Sequence, residues 1–170
     1  MYNLYDEKNE RFLKGNSNMT WIAIIISVLV LDRITKYLVV KNIPFDTTVP
    51  VIDRFFYLTY WRNKGAAWGI LQNGRYFFIV LTIVVLIMLF FVLYRSKDIM
   101  LKISISLIIG GAIGNLIDRL SPGSVVDFLS FYFGSYHFPV FNVSDSFVVI
   151  GTIILAIYLL FVHKERGQTC

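Results

Sequence analysis

Two aspartates in the last third of the chain, Asp127 in the block GSVVDF and Asp145 in the block FNVSDS, have the clearest potential for chemistry. Two carboxylates can cleave an amide bond when they share one proton. One activates a water as general base, and the other protonates or hydrogen-bonds the carbonyl oxygen. Asp145 stands at the start of an apolar run, where a helix N-terminus stabilises an anion, so we expect it to be the more ionised partner.

Other hydrolytic chemistries have little support in the sequence. The chain contains no GxSxG motif and no evident Ser–Lys pair, and its single cysteine, Cys170, is predicted to be cytoplasmic. One thiol forms no internal disulfide, no CxxC or Cys/His cluster is present to hold zinc, and the two histidines are far apart. The sequence therefore predicts no metal site.

The composition is that of a membrane protein. Of the 170 residues, 56% are hydrophobic and only 16% are charged, and the mean hydropathy is +0.66. The net charge of +5 does not indicate nucleic-acid binding, because the basic residues stand mostly at the ends of apolar runs. No basic stripe with interleaved aromatic residues accompanies them. We expect contact with membrane lipid and no nucleic-acid partner.

Four apolar runs are long enough to cross a hydrocarbon core of roughly 30 Å as helices. They cover residues 19–40, 76–94, 103–120 and 142–162. The first run is too long and too charged for a cleaved signal peptide. The second lacks ionisable residues, which indicates a scaffold helix. The fold prediction is an all-α membrane protein with four transmembrane helices, forming a single domain over residues 1–170.

The segment 41–75 is predicted to form a small extracytoplasmic β-sheet with a short helix on the membrane surface. Its stretch VPVIDRFFYLTYW is rich in β-branched and aromatic residues, which favours one or two strands. Four of its aromatic residues are of the types that favour the membrane interface: Tyr57, Tyr60, Trp61 and Trp68. The polar residues 1–18 predict a short helix outside the membrane, and a loop is predicted to follow Pro122 and to contain Asp127.

The predicted topology gathers the polar residues of the spans at one face of the membrane. Lys and Arg are denser at the termini and in the turn after the second span than in the other loops, so we expect cytoplasmic termini. The polar groups that then lie towards the outer face are Asp32, Asn115, Asp118, Arg119, Asp127, Asn142 and Asp145. Placing such groups within a membrane span costs free energy. One shared site explains their common position better than seven unrelated roles.

Taken singly, these residues also have structural explanations. Asp145 three residues after Asn142 is the pattern of an ordinary capped helix start. Asp32 and Lys36 are four residues apart and can pair on one helix face. The three glycines of the third span permit close helix packing, and Asn63-Lys64-Gly65 alone predicts a turn.

Together, five blocks resemble the lipoprotein signal peptidases (signal peptidase II), in the order and with the spacing typical of that family. The blocks are DRITK (Asp32–Lys36), RNKGAAWG (Arg62–Gly69), GGAIGNLIDR (Gly110–Arg119), VVDF (Val125–Phe128) and FNVSDS (Phe141–Ser146). One position departs from the family pattern, because Ser144 stands where alanine is usual. A serine is small and can hydrogen-bond the nearby backbone, so we expect it to be tolerated.

The resemblance implies a monomeric, multi-pass aspartic endopeptidase of the bacterial inner or plasma membrane, with its active site at the outer face and no cofactor. Such enzymes remove the signal peptide of prolipoproteins that carry diacylglycerol, cutting immediately before the lipidated cysteine, and the cyclic peptide globomycin targets them. The catalytic dyad falls on Asp127 and Asp145. The motif positions implied to support the dyad or contact substrate are Asp32, Lys36, Asn63, Gly65, Gly111, Asn115, Arg119 and Asn142.

Two competing classes remain. A small transporter or assembly factor would use polar span residues to line a pathway, but we find no internal repeat, and the polar groups lie at one end. An intramembrane aspartyl protease of another type would carry its aspartates within spans, which the predicted loop position of Asp127 argues against.

Overall fold

The computed structural model of the chain describes residues 3–65, 71 and 74–162, with side chains from residue 19 onwards. It is mostly helical, with one small antiparallel sheet. The helices are α1 (Asn3–Asn42), α2 (Arg75–Arg95), α3 (Ile99–Leu120) and α4 (Val143–Ile157), and a π-helical turn, Tyr158–Val162, continues α4. The strands are β1 (Thr48–Ile52), β2 (Phe56–Asn63), β3 (Val125–Phe133) and β4 (Tyr136–His137).

Within the described residues, three helices are long and apolar enough to cross a membrane: α2, α3, and α4 with its π-helical turn. These agree with three of the four predicted spans. Helix α1 is not among the three, and its apolar part carries Asp32, Arg33 and Lys36. Residues 3–18, predicted as a separate short helix, continue without a break into the rest of α1.

Helix α3 lies at the centre of the bundle and packs against α1, α2 and α4. Its glycines make this possible, because a methyl group at Gly111 or Gly114 would overlap Ser144 of α4. A buried apolar cluster joins the three helices α1, α2 and α3; it comprises Ile25, Leu86, Leu93, Ile105 and Ile109. The predicted role of the glycines in close packing is confirmed.

The sheet has the strand order β1-β2-β3-β4, with all three pairs antiparallel. Strands β1 and β2 confirm the strands predicted in the segment 41–75. The prediction of a loop after α3 was wrong, because β3 and β4 occupy that region and Asp127 lies on β3. The run VVDFLSFYF is rich in strand-forming residues, and its partner is the distant β2 rather than a neighbouring strand.

A second apolar cluster attaches the sheet to the end of α1. It comprises Val39, Ile43, Tyr60, Val126 and Phe128, all buried. Since alternate residues of a strand point to opposite faces, Val126 and Phe128 face this cluster, and Asp127 between them faces α3 and α4. The packing of β3 therefore determines where Asp127 points.

Candidate active site

Asp127 and Asp145 reach the site from a strand and from a helix start. Asp127 on β3 is only 2% exposed. Asp145 is the third residue of α4, which begins with a capping box. The Asn142 side chain accepts a hydrogen bond from the Asp145 backbone N–H at 3.0 Å, and the Asp145 carboxylate accepts one from the Asn142 N–H at 3.1 Å. The predicted capped helix start is confirmed, and it fixes the Asp145 rotamer.

All four carboxylate oxygens of the pair accept hydrogen bonds from asparagine amides. Asp127 Oδ1 accepts from Asn142 Nδ2 at 2.6 Å, and its Oδ2 accepts from Asn63 Nδ2 at 3.0 Å. Asp145 Oδ1 accepts from Asn115 Nδ2 at 2.7 Å. Asn142 therefore touches both carboxylates, one through its side chain and the other through its backbone. We call Asn63, Asn115 and Asn142 the amide shell.

The amide shell orients the carboxylates without bringing a positive charge into contact with them. The pKa of Asp127 is raised to about 7, mainly by burial and next by the neighbouring Asp145, whereas the hydrogen bonds from Asn63 and Asn142 oppose the rise. Lys36 also lowers it, from a greater distance. A carboxyl group with a pKa in this range can exchange a proton near neutral pH.

Beside the pair lie four charged side chains in a closed arrangement, which we call the charge ring: Asp32, Arg33, Lys36 and Asp118. Lys36 Nζ lies 2.9 Å from Asp32 Oδ1 and 2.7 Å from Asp118 Oδ2. Arg33 lies 2.5 Å from Asp32 Oδ2 and 2.7 Å from Asp118 Oδ1. The predicted pairing of Asp32 with Lys36 is confirmed. Each acid contacts both bases, so the ring is neutral.

The charge ring connects to the amide shell through two helices. Lys36 Nζ donates to Asn115 Oδ1 at 3.2 Å, and Asn115 also accepts from Asn142 Nδ2 at 3.2 Å. The Ser144 backbone N–H donates to Asp32 at 3.2 Å, which ties the start of α4 to α1. The ring thus fixes the elements that carry the amide shell.

A cavity of about 250 Å³ opens on the two carboxylates. Its polar lining comprises Asn63, Gly65, Asn115, Arg119, Asp127 and Asp145, and the segment 138–141 with Val125 forms an apolar wall. The Gly65 N–H donates to Asn63 Oδ1 at 2.9 Å, which orients that amide. A site with two carboxylates, a guanidinium and an apolar wall can bind a peptide and hydrolyse it.

The structure brings together most of the residues predicted from the sequence, with two differences. Gly111 packs against Ser144 and does not line the described cavity. The Ser144 hydroxyl, expected to bond the backbone, is buried and finds no partner among the described residues. Part of the RNKGAAWG block, including Trp68, and the short helix predicted nearby fall largely outside the described residues.

Sequence reasoning missed Arg33, which stands beside Asp32 in the DRITK block but was given no role. It also missed Arg75 and Phe78, which contact Arg119 of the cavity. The apolar run of α2 predicts only a scaffold helix. The only signal for Arg75 was a basic residue at the start of a span, which usually indicates contact with lipid headgroups.

Helices long and apolar enough to cross a membrane, with a buried and a partly buried aspartate on one cavity, are typical of a membrane-embedded peptidase of the aspartic class. Comparison with known proteins supports this class. The family model for signal peptidase (SPase) II matches residues 24–161. The lipoprotein signal peptidase of Bacillus pumilus (strain SAFR-032) is 46% identical over 153 residues, which cover 89% of this chain and 99% of that protein.

Two solved structures, both described as bacterial membrane enzymes, share the fold. Each is 39% identical in sequence. The first has a TM-score of 0.78 and covers 83% of this chain and 87% of its own. The second has a TM-score of 0.76, with 84% and 93% covered. The chain belongs to the signal peptidase II family and is a bacterial membrane peptidase.

Proposed function

We propose that this enzyme cuts diacylglyceryl-modified prolipoproteins immediately before the lipidated cysteine, with Asp127 and Asp145 as the catalytic pair. Removal of signal peptides from prolipoproteins is the activity of the family, and it is the activity of this chain. The observation that carries the assignment of the pair is that the buried Asp127 and the partly buried Asp145 line one cavity, and that both carboxylates contact only neutral amides among the described residues.

The different surroundings of the two aspartates assign them different catalytic roles. Asp127, whose pKa is raised to about 7, holds the shared proton. Asp145 stands in the first turn of α4, where the helix N-terminus favours its charged form. Asp145 is therefore the general base and Asp127 the general acid. Because the two carboxylates interact, the proton belongs to the pair, and the pH–rate profile reports the pair.

In the first step Asp145 takes a proton from water as its oxygen bonds to the scissile carbonyl carbon, and Asp127 gives its proton to the carbonyl oxygen. The product is a tetrahedral diol. In the second step Asp145 returns its proton to the amide nitrogen, the C–N bond breaks, and Asp127 regains a proton from the diol. Both aspartates end in their starting states, and no cofactor takes part.

The cavity supplies binding as well as chemistry. Arg119 and Asn63 line it and are donors suited to the carbonyl groups of an extended substrate peptide. The segment 41–75, which includes β1 and β2, clamps the peptide from the outer side. The spans shelter the acyl chains, so the substrate stays in the membrane as its scissile bond reaches the pair.

The proposed enzyme is a monomeric single domain with four spans, in which the apolar part of α1 is the fourth. Both termini are cytoplasmic, the active site faces outward, and no nucleic acid takes part. The density of Lys and Arg at the termini and between α2 and α3 supports this orientation. Cys170, the only cysteine, provides a test of it. A membrane-impermeant maleimide should label it only after cells are permeabilised, whereas a cysteine at Ser135 in a Cys170→Ser background should be labelled in intact cells.

The catalytic proposal is tested by cleavage of a diacylglyceryl-modified prolipoprotein with purified enzyme. We expect Asp127→Asn and Asp145→Asn each to lower kcat by about a thousandfold, because general acid and base catalysis each contribute roughly 10²–10⁴. Asp53→Asn changes an exposed aspartate in the turn between β1 and β2 and is the control. Near-full activity in either dyad variant would show that the catalytic residues are others. A folded parent that never cuts would contradict the activity and favour a transporter or assembly factor.

A further inference from the structure

Arg119 is a cation in the cavity that is held by an aromatic ring rather than by an acid. Its guanidinium lies 5.2 Å from the centroid of the Phe78 ring of α2. It also makes one long hydrogen bond, 3.5 Å, to the Asn115 carbonyl. Within the described residues it forms no ion pair with Asp127 or Asp145, although all three line the same cavity. Its hydrogen-bonding capacity is therefore largely unused.

Helix α2 also holds the backbone of Arg119, through Arg75. Arg75 Nε donates to the Arg119 carbonyl at 2.7 Å, and Arg75 Nη2 donates to the Leu120 carbonyl at 2.9 Å. The last carbonyls of a helix have no partner within the helix. Backbone N–H groups in the following turn satisfy the carbonyls of Ile117 and Asp118. Arg75 thus completes the cap of α3, and its positive charge suits the C-terminal end of the helix dipole.

The turn that follows α3 is also built against Arg75. Gly123 has φ +100°, and a methyl group at this position would overlap the Arg75 guanidinium. This turn leads directly into β3 and Asp127. Arg75 and Phe78 are three residues apart in the first turn of α2 and lie on one face. One helix turn therefore positions both the backbone and the side chain of Arg119.

We propose that Arg75 and Phe78 are positioning residues that hold Arg119 on the cavity wall, away from the aspartate pair. In this position Arg119 binds a backbone carbonyl of the substrate while the pair retains its shared proton. The inference rests on the proposed function of the pair and adds what keeps a nearby cation from neutralising it.

The physical reason is the effect of a released guanidinium on the pair. Without its ring partner, Arg119 gains most by contacting a carboxylate of the same cavity. A cation at about 4 Å favours the charged form of a carboxylate, so the pair would lose its proton at lower pH. The other charged groups that face the pair stay in place when Phe78 changes: Lys36 and Asp32 on α1 and Asp118 on α3. Strand β2 presents the neutral Asn63.

The experiment measures the pH dependence of kcat and kcat/KM for Phe78→Leu, Phe78→Met and Phe78→Tyr on the diacylglyceryl-modified prolipoprotein. In the Leu and Met variants we expect the alkaline limb of the kcat–pH profile to shift to lower pH by about one unit. We also expect KM to rise about tenfold. The Tyr variant keeps an aromatic ring, so its alkaline limb and its KM should equal those of the parent.

The chain offers a matched control at the other end of α2. There the Arg95 guanidinium also lies 5.2 Å from an aromatic ring, that of Phe91, on the side away from the dyad. Phe91→Leu removes a ring in the same helix and the same kind of contact, so its pH profile should equal that of the parent.

A double variant shows whether Phe78 acts through Arg119. Adding Phe78→Leu to Arg119→Gln should cause no further shift of the alkaline limb, because the cation is already absent. Arg75→Gln should raise KM more than it lowers kcat, and Arg75→Lys, which keeps one charged donor, should recover part of the loss.

The outcomes separate this inference from the proposed function. If the parent cuts, Asp127→Asn does not, and Phe78→Leu and Phe78→Met keep the parental alkaline limb, Phe78 does not position Arg119. If Phe78→Leu shifts the limb equally with and without Arg119, the ring acts by another route and the inference is overturned. A folded parent that does not cut overturns the proposed function first.

Discussion

Four aspartates lie close together where the helices meet the sheet, in two neighbouring groups with opposite surroundings. Asp32, Asp118 and Asp127 are buried, and Asp145 is partly buried. In the charge ring, Asp32 and Asp118 each contact both Lys36 and Arg33. In the dyad, Asp127 and Asp145 contact only neutral amides among the described residues. The two groups are neighbours in one molecule. The difference in their electrostatic surroundings comes from the side chains and amides that contact them.

The comparison shows how neighbouring aspartates can have different roles when their contacts differ. In the ring, each carboxylate is compensated by two cations, and the ion pairs tie α1 to α3. A buried carboxylate that touches only amides is well oriented but uncompensated, and the pKa of Asp127 accordingly rises to about 7. The ring holds the elements together, and the pair has the environment that the proposed proton transfer needs.

The largest expected effect is a contrast in stability between identical substitutions in the two groups. Asp118→Asn removes one of two acids from the ring and leaves an uncompensated buried cation, which should cost about 3–5 kcal/mol of unfolding free energy. Asp127→Asn at pH 5 replaces a group that is already largely protonated and should cost far less. Thermal unfolding of the purified proteins in detergent measures both. Equal losses would show that the two groups do not differ in electrostatic role.

The next effect is the dependence of stability on pH. Asp127 has a pKa of about 7 in the folded state against 3.8 when unperturbed. The folded state therefore binds this proton more tightly, and stability is lost as pH rises through 7. Between pH 5 and pH 8 the parent should lose about 2–3 kcal/mol that Asp127→Asn does not lose. Parallel stability curves for the two proteins would contradict the raised pKa.

A smaller effect should follow from trimming the amide shell. Asn142→Ser retains a helix cap and the backbone donor to Asp145 but removes the donor to Asp127. Losing a hydrogen bond to the charged form raises the pKa of Asp127 further. We expect kcat to fall about tenfold and the alkaline limb to move to higher pH, opposite to the shift expected for Phe78→Leu. A shift to lower pH would show that Asn142 does not act through Asp127.

The smallest effect concerns Ser144 at the start of α4. Its buried hydroxyl has no partner among the described residues, and such a group costs about 1–3 kcal/mol. Ser144→Ala should therefore raise stability by up to about 1 kcal/mol without loss of activity. Ser106→Ala is the control, because that buried hydroxyl donates to the Lys102 carbonyl at 2.6 Å. Destabilisation by Ser144→Ala would indicate a partner for its hydroxyl.

Much of the site could be predicted because its residues stand in local patterns. Asp32 and Lys36 are one helical turn apart, and Asn142 and Asp145 form a capping box, so the sequence alone places each pair. Strand β3 could not be predicted in this way. Its partner β2 lies more than sixty residues away, and the Pro-Gly turn and the aspartate both suggested a loop.

The sequence by itself determined the class of protein, the apolar spans, and the two aspartates with most of their neighbours, because hydropathy and short-range spacing are written along the chain. Only the tertiary structure decided how the four aspartates divide into a compensated ring and an uncompensated pair. It also brought Arg75 and Phe78 of α2 to Arg119 of α3. The physical reason is that a carboxylate is ionised or protonated according to the atoms within a few ångströms of it, and those come from four different elements.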